Sequence, residues 1–162
     1  MIILGLDPGT ATTGYGVIKQ NPKRKEEFKL LDFGVITTEK GQTEAARLAV
    51  LARDLTNLLK RFKPNRVGIE RLFFTTNQKT AMAVSQARGV ALLVCQQKKI
   101  SLAEFTPLQV KNTLCGYGKA DKRQVQLMVQ HTFKLKALPK PDDAADALAI
   151  ALCAALIKKS QF

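Results

Sequence analysis

The chain opens on MIILGLDPGTATTGYGV. Ile2, Ile3, Leu4 and Leu6 form a near-continuous apolar run bounded by glycines, the pattern of a strand buried on both faces. Asp7 interrupts the run, and Pro8-Gly9-Thr10 predicts a turn. Tyr15-Gly16-Val17-Ile18 follows closely enough to return as an antiparallel strand. Asn21 to Glu27 is a polar, basic turn. Phe28 to Thr38 then closes an antiparallel meander. Leu48, Leu51, Leu55, Leu58 and Phe62 recur at helical spacing, with Arg47, Arg53, Lys60 and Arg61 facing mostly water. Gly41-Gln42-Thr43 introduces this helix and Pro64-Asn65 ends it.

Arg66 to Glu70 is a short strand, a second one that runs apolar into an acid. Leu72 to Gln78 is a loop of aromatic and polar residues. A long helix is predicted over Lys79 to Lys98, with Met82, Ala83, Gln86, Val90, Leu93 and Val94 on or near one side. Ile100 to Phe105 is another strand, and Pro107 opens a helix at its first turn. Gly116-Tyr117-Gly118-Lys119 is a turn, Asp121 to Phe133 is helical, and the last helix spans Asp142 to Lys158. Three strands, helix, strand, helix, strand and then helices predict an α/β fold. Its mixed five-stranded sheet is a meander followed by parallel strands, with helices packed on it in three layers.

Composition narrows the partners. A chain of 162 residues, 46% hydrophobic, suits one domain with a proper core, spanning 1–162. Lys and Arg total 26 against 13 Asp and Glu, a net charge of +13. That excess predicts a polyanionic partner, most simply nucleic acid. Cys95, Cys115 and Cys153 stand far apart, which excludes a CxxC zinc framework and fits a reduced cytosol. The first apolar run contains Asp7 and lacks a basic leader, unlike a signal peptide, and no stretch reaches transmembrane length.

Most acids have ordinary surface settings, among them Glu26, Glu27, Glu39, Glu44, Asp54 and Glu104, and Asp121 suits a helix N-cap. Asp7 and Glu70 differ, because each ends an apolar strand, where sites gather in open α/β sheets. Asp7 taken alone is equally a turn-starting acid. Asp146, Ile150, Cys153 and Ile157 lie at i, i+4, i+7 and i+11, so Asp146 extends the last helix's apolar stripe. Asp143, three residues earlier, shares that face. Asp142, after Pro141, suits the N-cap, and it also shares a face with Asp146 at i, i+4. Carboxylates gathered in this way repel until protons or divalent cations settle them. An all-oxygen acidic set suits Mg²⁺ or Mn²⁺. It also suits a two-metal nuclease centre with ions about 3.5–4 Å apart.

Five blocks carry a family resemblance: IILGLDPGTATTGYGVI, VGIERLFF, QARGVAL, QVKNTLCGYGKADKRQVQ and DAADALAIA. In this order they resemble the bacterial RuvC Holliday-junction resolvases of the RNase H-like nuclease superfamily, over nearly the whole chain. The resemblance implies a cytoplasmic, Mg²⁺-dependent endonuclease with two ions per site. Asp7 is implied as the bridging acid, with Glu70, Asp143 and Asp146 completing the catalytic and metal-binding set. The DAAD spacing selects Asp143 over Asp142, and His131 is not needed as a ligand. Phe73 aligns with an aromatic that stacks on bases, although Phe73 and Phe74 also suit a core. Lys111 and Lys122 align with lysines near the scissile phosphate, and Arg71, Arg88, Lys119 and Arg123 are further phosphate-contact candidates. The implied substrate is a four-way DNA junction, nicked symmetrically by a homodimer to leave 5′-phosphate and 3′-hydroxyl ends. The helix Lys79 to Lys98 contributes to the dimer. Junction-binding and branch-migration motor proteins (RuvA/RuvB-like) are the implied partners. Two other readings start from the same residues: a junction-binding module without catalysis, and an actin-like or sugar-kinase phosphate-binding domain built on the first hairpin.

Overall fold

A computed structural model describes residues 1–71 and 78–157, with the backbone alone for 78–80. Its elements run β1 (Ile2–Asp7), β2 (Thr12–Gln20), β3 (Phe28–Thr37), α1 (Glu44–Phe62), β4 (Arg66–Glu70), α2 (Gln78–Gln97), β5 (Ser101–Phe105), α3 (Pro107–Cys115), α4 (Lys122–Phe133) and α5 (Asp142–Leu156). The five strands form one sheet in the order β3-β2-β1-β4-β5. β1, β2 and β3 pair antiparallel, and β4 and β5 join parallel to β1. Each predicted strand and helix is present; β2 starts three residues before Tyr15, the predicted end of the last helix at Lys158 lies outside the described residues, and the other boundaries move by a residue or two.

Side chains alternate across the sheet and divide the core in two. Leu4, Leu6, Val17, Val67 and Ile69 pack against α1 and α2 through Leu51, Leu55, Leu59, Ala87, Ala91 and Val94. Ile3, Ile18, Ala103 and Phe105 pack on the other face, against α5 with α3 and α4 outside it. α5 is therefore buried nearly all round, from Ala144 and Ala145 through Ala147 to Ala154.

Small residues set how close α5 lies. Gly5 pairs with Gly16 on one side and with Gly68 on the other, and Gly68 pairs with Ala103. This row makes a trough across four strands. A Cβ at Gly5 would stand 2.0 Å from the Ala147 carbonyl oxygen and 2.5 Å from the Ala151 nitrogen, so helix backbone touches strand backbone there. An alanine-rich helix on a glycine row is the sequence's means of bringing α5 onto the sheet.

Helix ends follow local chemistry. Thr43 caps α1 by accepting from the Ala46 backbone N–H. Thr106 and Asp121 each form a capping box with a glutamine three residues on, Gln109 and Gln124. α5 departs from expectation. Pro141 is its N-cap, without a side-chain bond, so Asp142 is the first helical residue and not the cap. In α2, Met82 is 67% and Leu93 58% exposed, and Gln86 is exposed too. Of the expected stripe Val94 is buried, and the other buried positions are Ala87, Ala91 and Cys95. The close α1–α2 packing takes the small residues inward and turns the larger apolar ones outward. α1 likewise buries Leu59 more deeply than Leu58.

Candidate active site

Sheet register brings the first two acids together. Ile3 and Gly5 of β1 face α5, so Asp7 faces it too. Leu6 pairs with Ile69 in parallel, so Asp7 and Glu70 follow one step on, at the adjoining C-terminal ends of β1 and β4. Across the sheet Asp7 pairs with Gly14 of β2. A Cβ at Gly14 would lie 1.9 Å from the Asp143 carbonyl oxygen. The missing side chain thus seats the first turn of α5 beside Asp7, with Asp146 one turn further along.

The electrostatics register this convergence. Asp7 is pushed up to about 8, first by burial and then by the negative charges of Glu70, Asp146 and Asp143, with Lys122 opposing. Glu70 is raised by burial and by Asp146. Asp146 is raised by burial, although Lys122 pulls the other way. Acids from two strands and one helix therefore share a single field.

Lys122, the first residue of α4, reaches into it. Its Nζ lies 2.9 Å from Asp146 Oδ2 and 3.3 Å from Asp142 Oδ2. Burial works against the Lys122 charge, but the bonds to Asp146 and Asp142 outweigh it and raise the pKa. Asp142 turns toward α4, where Gln126 Nε2 donates to its Oδ1 at 3.3 Å. It is Asp143, not Asp142, whose charge bears on Asp7. A cavity of about 200 Å³ opens here, lined by Glu70, Pro107, Lys111, Lys122, Asp146 and Ile150 among others. Larger cavities, of about 630 Å³ beside Leu127 and Leu135 and about 550 Å³ beside Met1 and Arg66, share none of these residues.

The donor set is all oxygen and its charges are poorly compensated, which suits a hard divalent cation. Among the described residues no three His, Cys, Asp or Glu side chains already stand in metal-holding geometry. Lys122 rests on Asp146 instead.

The remaining sequence candidates are scattered. Lys111 lines the same cavity. Arg71 is exposed directly after Glu70, its backbone N–H donating to the Phe105 carbonyl at 2.7 Å. Lys119 is exposed in the turn before α4, and Arg123 is exposed in the first turn of α4. Arg88, only 20% exposed, forms an ion pair with Glu104 that ties α2 to β5, and its Nε is buried without a partner among the described residues. Glu104 is thus an ion-pair partner rather than an ordinary surface acid. His131 is exposed in the last turn of α4. Phe73 and Phe74 lie outside the described residues. Sequence reasoning missed the tie from Asp142 to Lys122 and the glycine trough. The alternation of Gly14 and Gly16, with Gly5 and Gly68 opposite an alanine-rich helix, was the available signal for the trough.

Known proteins match this arrangement. The family described as Crossover junction endodeoxyribonuclease RuvC matches residues 3–154. The crossover junction endodeoxyribonuclease RuvC of Caldicellulosiruptor saccharolyticus is 47% identical over 160 residues, covering 99% of this chain and 95% of that one. The protein of the same name from Ruminiclostridium cellulolyticum is 49% identical over 153 residues, covering 94% and 90%. The solved structure of Thermus thermophilus RuvC superposes with a TM-score of 0.87 at 34% identity, over 94% of this chain and 92% of that one. The same Thermus protein in complex with Holliday junction substrate superposes equally well, at 33% identity. With its acids at the strand ends, its RNase H-like sheet and these relatives over nearly its full length, the chain belongs to the RuvC family of crossover junction endodeoxyribonucleases.

Proposed function

We propose that this protein resolves four-way DNA junctions by paired, symmetric phosphodiester hydrolysis during recombination and repair. The observation that carries the reading is the convergence of Asp7, Glu70, Asp143 and Asp146 in one field, in a chain of charge +13. Chain 1–162 acts as one nuclease domain, supported by the single sheet on which the described helices pack directly or through α5.

The family works with a divalent metal. We assign two Mg²⁺ ions to each site, with Mn²⁺ substituting; Asp7, Glu70, Asp143 and Asp146 are the residues that would hold them. Bound there, the cations would polarise the phosphodiester and lower the pKa of an attacking water. The protein's own residues do the rest. Asp7, buried and crowded by like charge, would release its proton to solvent when a cation takes its place. Lys111 and Lys122, on the rim of the cavity, meet the phosphate flanking the scissile bond. Water attack breaks the bond from phosphorus to the 3′ oxygen, leaving a 5′-phosphate and a 3′-hydroxyl. Arg71, Lys119 and Arg123 extend the contact along the backbone, and Phe73 stacks on a base. Arg88 is the weakest of these contacts, because Glu104 already holds its guanidinium.

A four-way junction has two-fold symmetry, so the proposed unit is a homodimer. Met82, Gln86, Gly89 and Leu93 lie along one exposed stripe of α2, and a Cβ at Gly89 meets nothing within 4 Å. That face can seat the partner's α2. Leu93→Glu is expected to give monomers in light scattering and to abolish paired cutting. A dimer of unchanged stability would refute this interface. The resemblance to the family further supports cooperation with RuvA/RuvB-like junction-binding and branch-migration motor proteins, and a cytoplasmic setting. Among the described residues, no helix is long and apolar enough to cross a membrane.

The phosphate-cradle reading of the first turn loses ground. Thr13 Oγ1 donates to the Gly9 carbonyl at 2.7 Å, and Thr38 Oγ1 donates to that of Thr10 at 2.6 Å. Two neighbouring hydroxyls thus bond the turn's own carbonyls. A mobile junction and a linear duplex, each incubated with the protein and Mg²⁺, test the proposal. Paired nicks confined to the junction are expected, and equal cutting of the duplex would contradict it.

A further inference from the structure

Asp142 is an acid with no place in the proposed metal set, yet it is tied firmly to the site. It accepts from two side chains of α4 set one helical turn apart. Lys122 Nζ stands 3.3 Å from Oδ2, and Gln126 Nε2 donates to Oδ1 at 3.3 Å. The same Lys122 ammonium lies 2.9 Å from Asp146 Oδ2. Asp142 precedes Asp146 by one turn of α5, so the two carboxylates offer neighbouring seats to one cation.

A divalent ion that takes Asp146 meets this ammonium at close range, where like charges repel strongly. Lys122 must then give up Asp146. Released into solvent, its long side chain would gain rotamer freedom and leave the phosphate path. Asp142 supplies a second hold that survives the exchange, and Gln126 keeps that carboxylate turned toward α4.

We infer that Lys122 is an internal counter-ion competing with the divalent cation for Asp146, and that Asp142 is the positioning residue that receives Lys122 when the metal binds. The inference rests on the metal reading given above and goes beyond it in assigning Asp142 a role. With Asp142 removed, Lys122 depends on Asp146 alone and opposes the metal more strongly. With Lys122 removed, Asp142 has nothing to hold. The two substitutions should therefore be strongly non-additive.

Metal affinity of the protein without DNA reads this directly. Mn²⁺ is titrated into wild type, Lys122→Met, Asp142→Asn, the double variant and Asp7→Asn, and free ion is followed by its electron paramagnetic resonance signal. Lys122→Met should bind about three- to tenfold more tightly and Asp142→Asn about three- to tenfold more weakly, in the range of couplings between contacting groups. In the Lys122→Met background, Asp142→Asn should weaken binding less than it does in wild type, because only the direct field of a 65% exposed carboxylate on Asp146 then remains. Equal weakening by Asp142→Asn in both backgrounds would overturn the inference and make Asp142 a ligand or a simple field charge. Wild type and Asp7→Asn binding Mn²⁺ alike would overturn the metal reading itself. Asp7-dependent binding without coupling would overturn only the exchange. Asp142 is 65% exposed, so the thermal melt of Asp142→Asn should match wild type in EDTA.

Discussion

Asp7 is held in the fold at a stated cost. Its pKa rises from 3.8 to about 8, so between those values the folded protein binds a proton that the unfolded chain has lost. Metal-free stability must then fall as pH rises from about 4 to about 8 and level off above. Each unit is worth about 1.4 kcal/mol, so the loss is on the order of a few kcal/mol after allowance for relaxation. Asp7→Asn cannot ionise there. In EDTA at pH 8.5 it should melt about 5 °C or more above wild type, since 1 kcal/mol moves Tm by about 2–4 °C at this size. Near pH 4 the two should melt together, and MgCl₂ at pH 8.5 should stabilise wild type alone. At this scale the sequence was informative for three acids. Asp7 and Glu70 end apolar strands, and Asp146 lies on the buried side of α5. Asp142 was misjudged because capping preference is local, whereas its partners Lys122 and Gln126 lie on another helix.

The decisive contact between elements is α5 on the glycine trough. Gly14→Ala puts a methyl group into the Asp143 carbonyl, so α5 must lift where it carries two acids. Overpacking of this kind costs about 1–3 kcal/mol, and more where backbone is met. Denaturant unfolding should report that loss, and junction nicking should fall further than stability does. Gly41→Ala, with open space around it, is the matched control and should change neither. Element order and type were legible because strands with continuous apolar runs and helices with caps carry local signals. The packing face of α2 was not. Ala87 and Ala91 are weak hydrophobic markers, and Met82 and Leu93 are strong ones that point outward. Periodicity finds the apolar stripe, but which stripe faces inward depends on how close α1 comes.

The whole molecule couples a positive exterior to a negative pocket. If Lys111, Lys119, Lys122 and Arg123 each meet one phosphate, log affinity should fall with log salt at a slope of about −3.6, roughly 100-fold between 50 and 200 mM. Binding of a fluorescent junction without divalent ions gives that slope, and each Lys→Ala change should reduce it by about 0.9. A slope near zero would remove the phosphate contacts. Net charge indicated such a partner from composition alone, but it could not say which face meets it. The topology gathers the start of α4, the start of α3 and the strand ends around one cavity. The central claim is that this pocket of acids cuts junctions. Wild type and Asp7→Asn should be assayed side by side on one mobile four-way junction with Mg²⁺, with binding measured in the same samples. The account predicts paired, ligatable nicks by wild type, and equal binding without nicks by Asp7→Asn. Nicking by Asp7→Asn at the wild-type rate would contradict it.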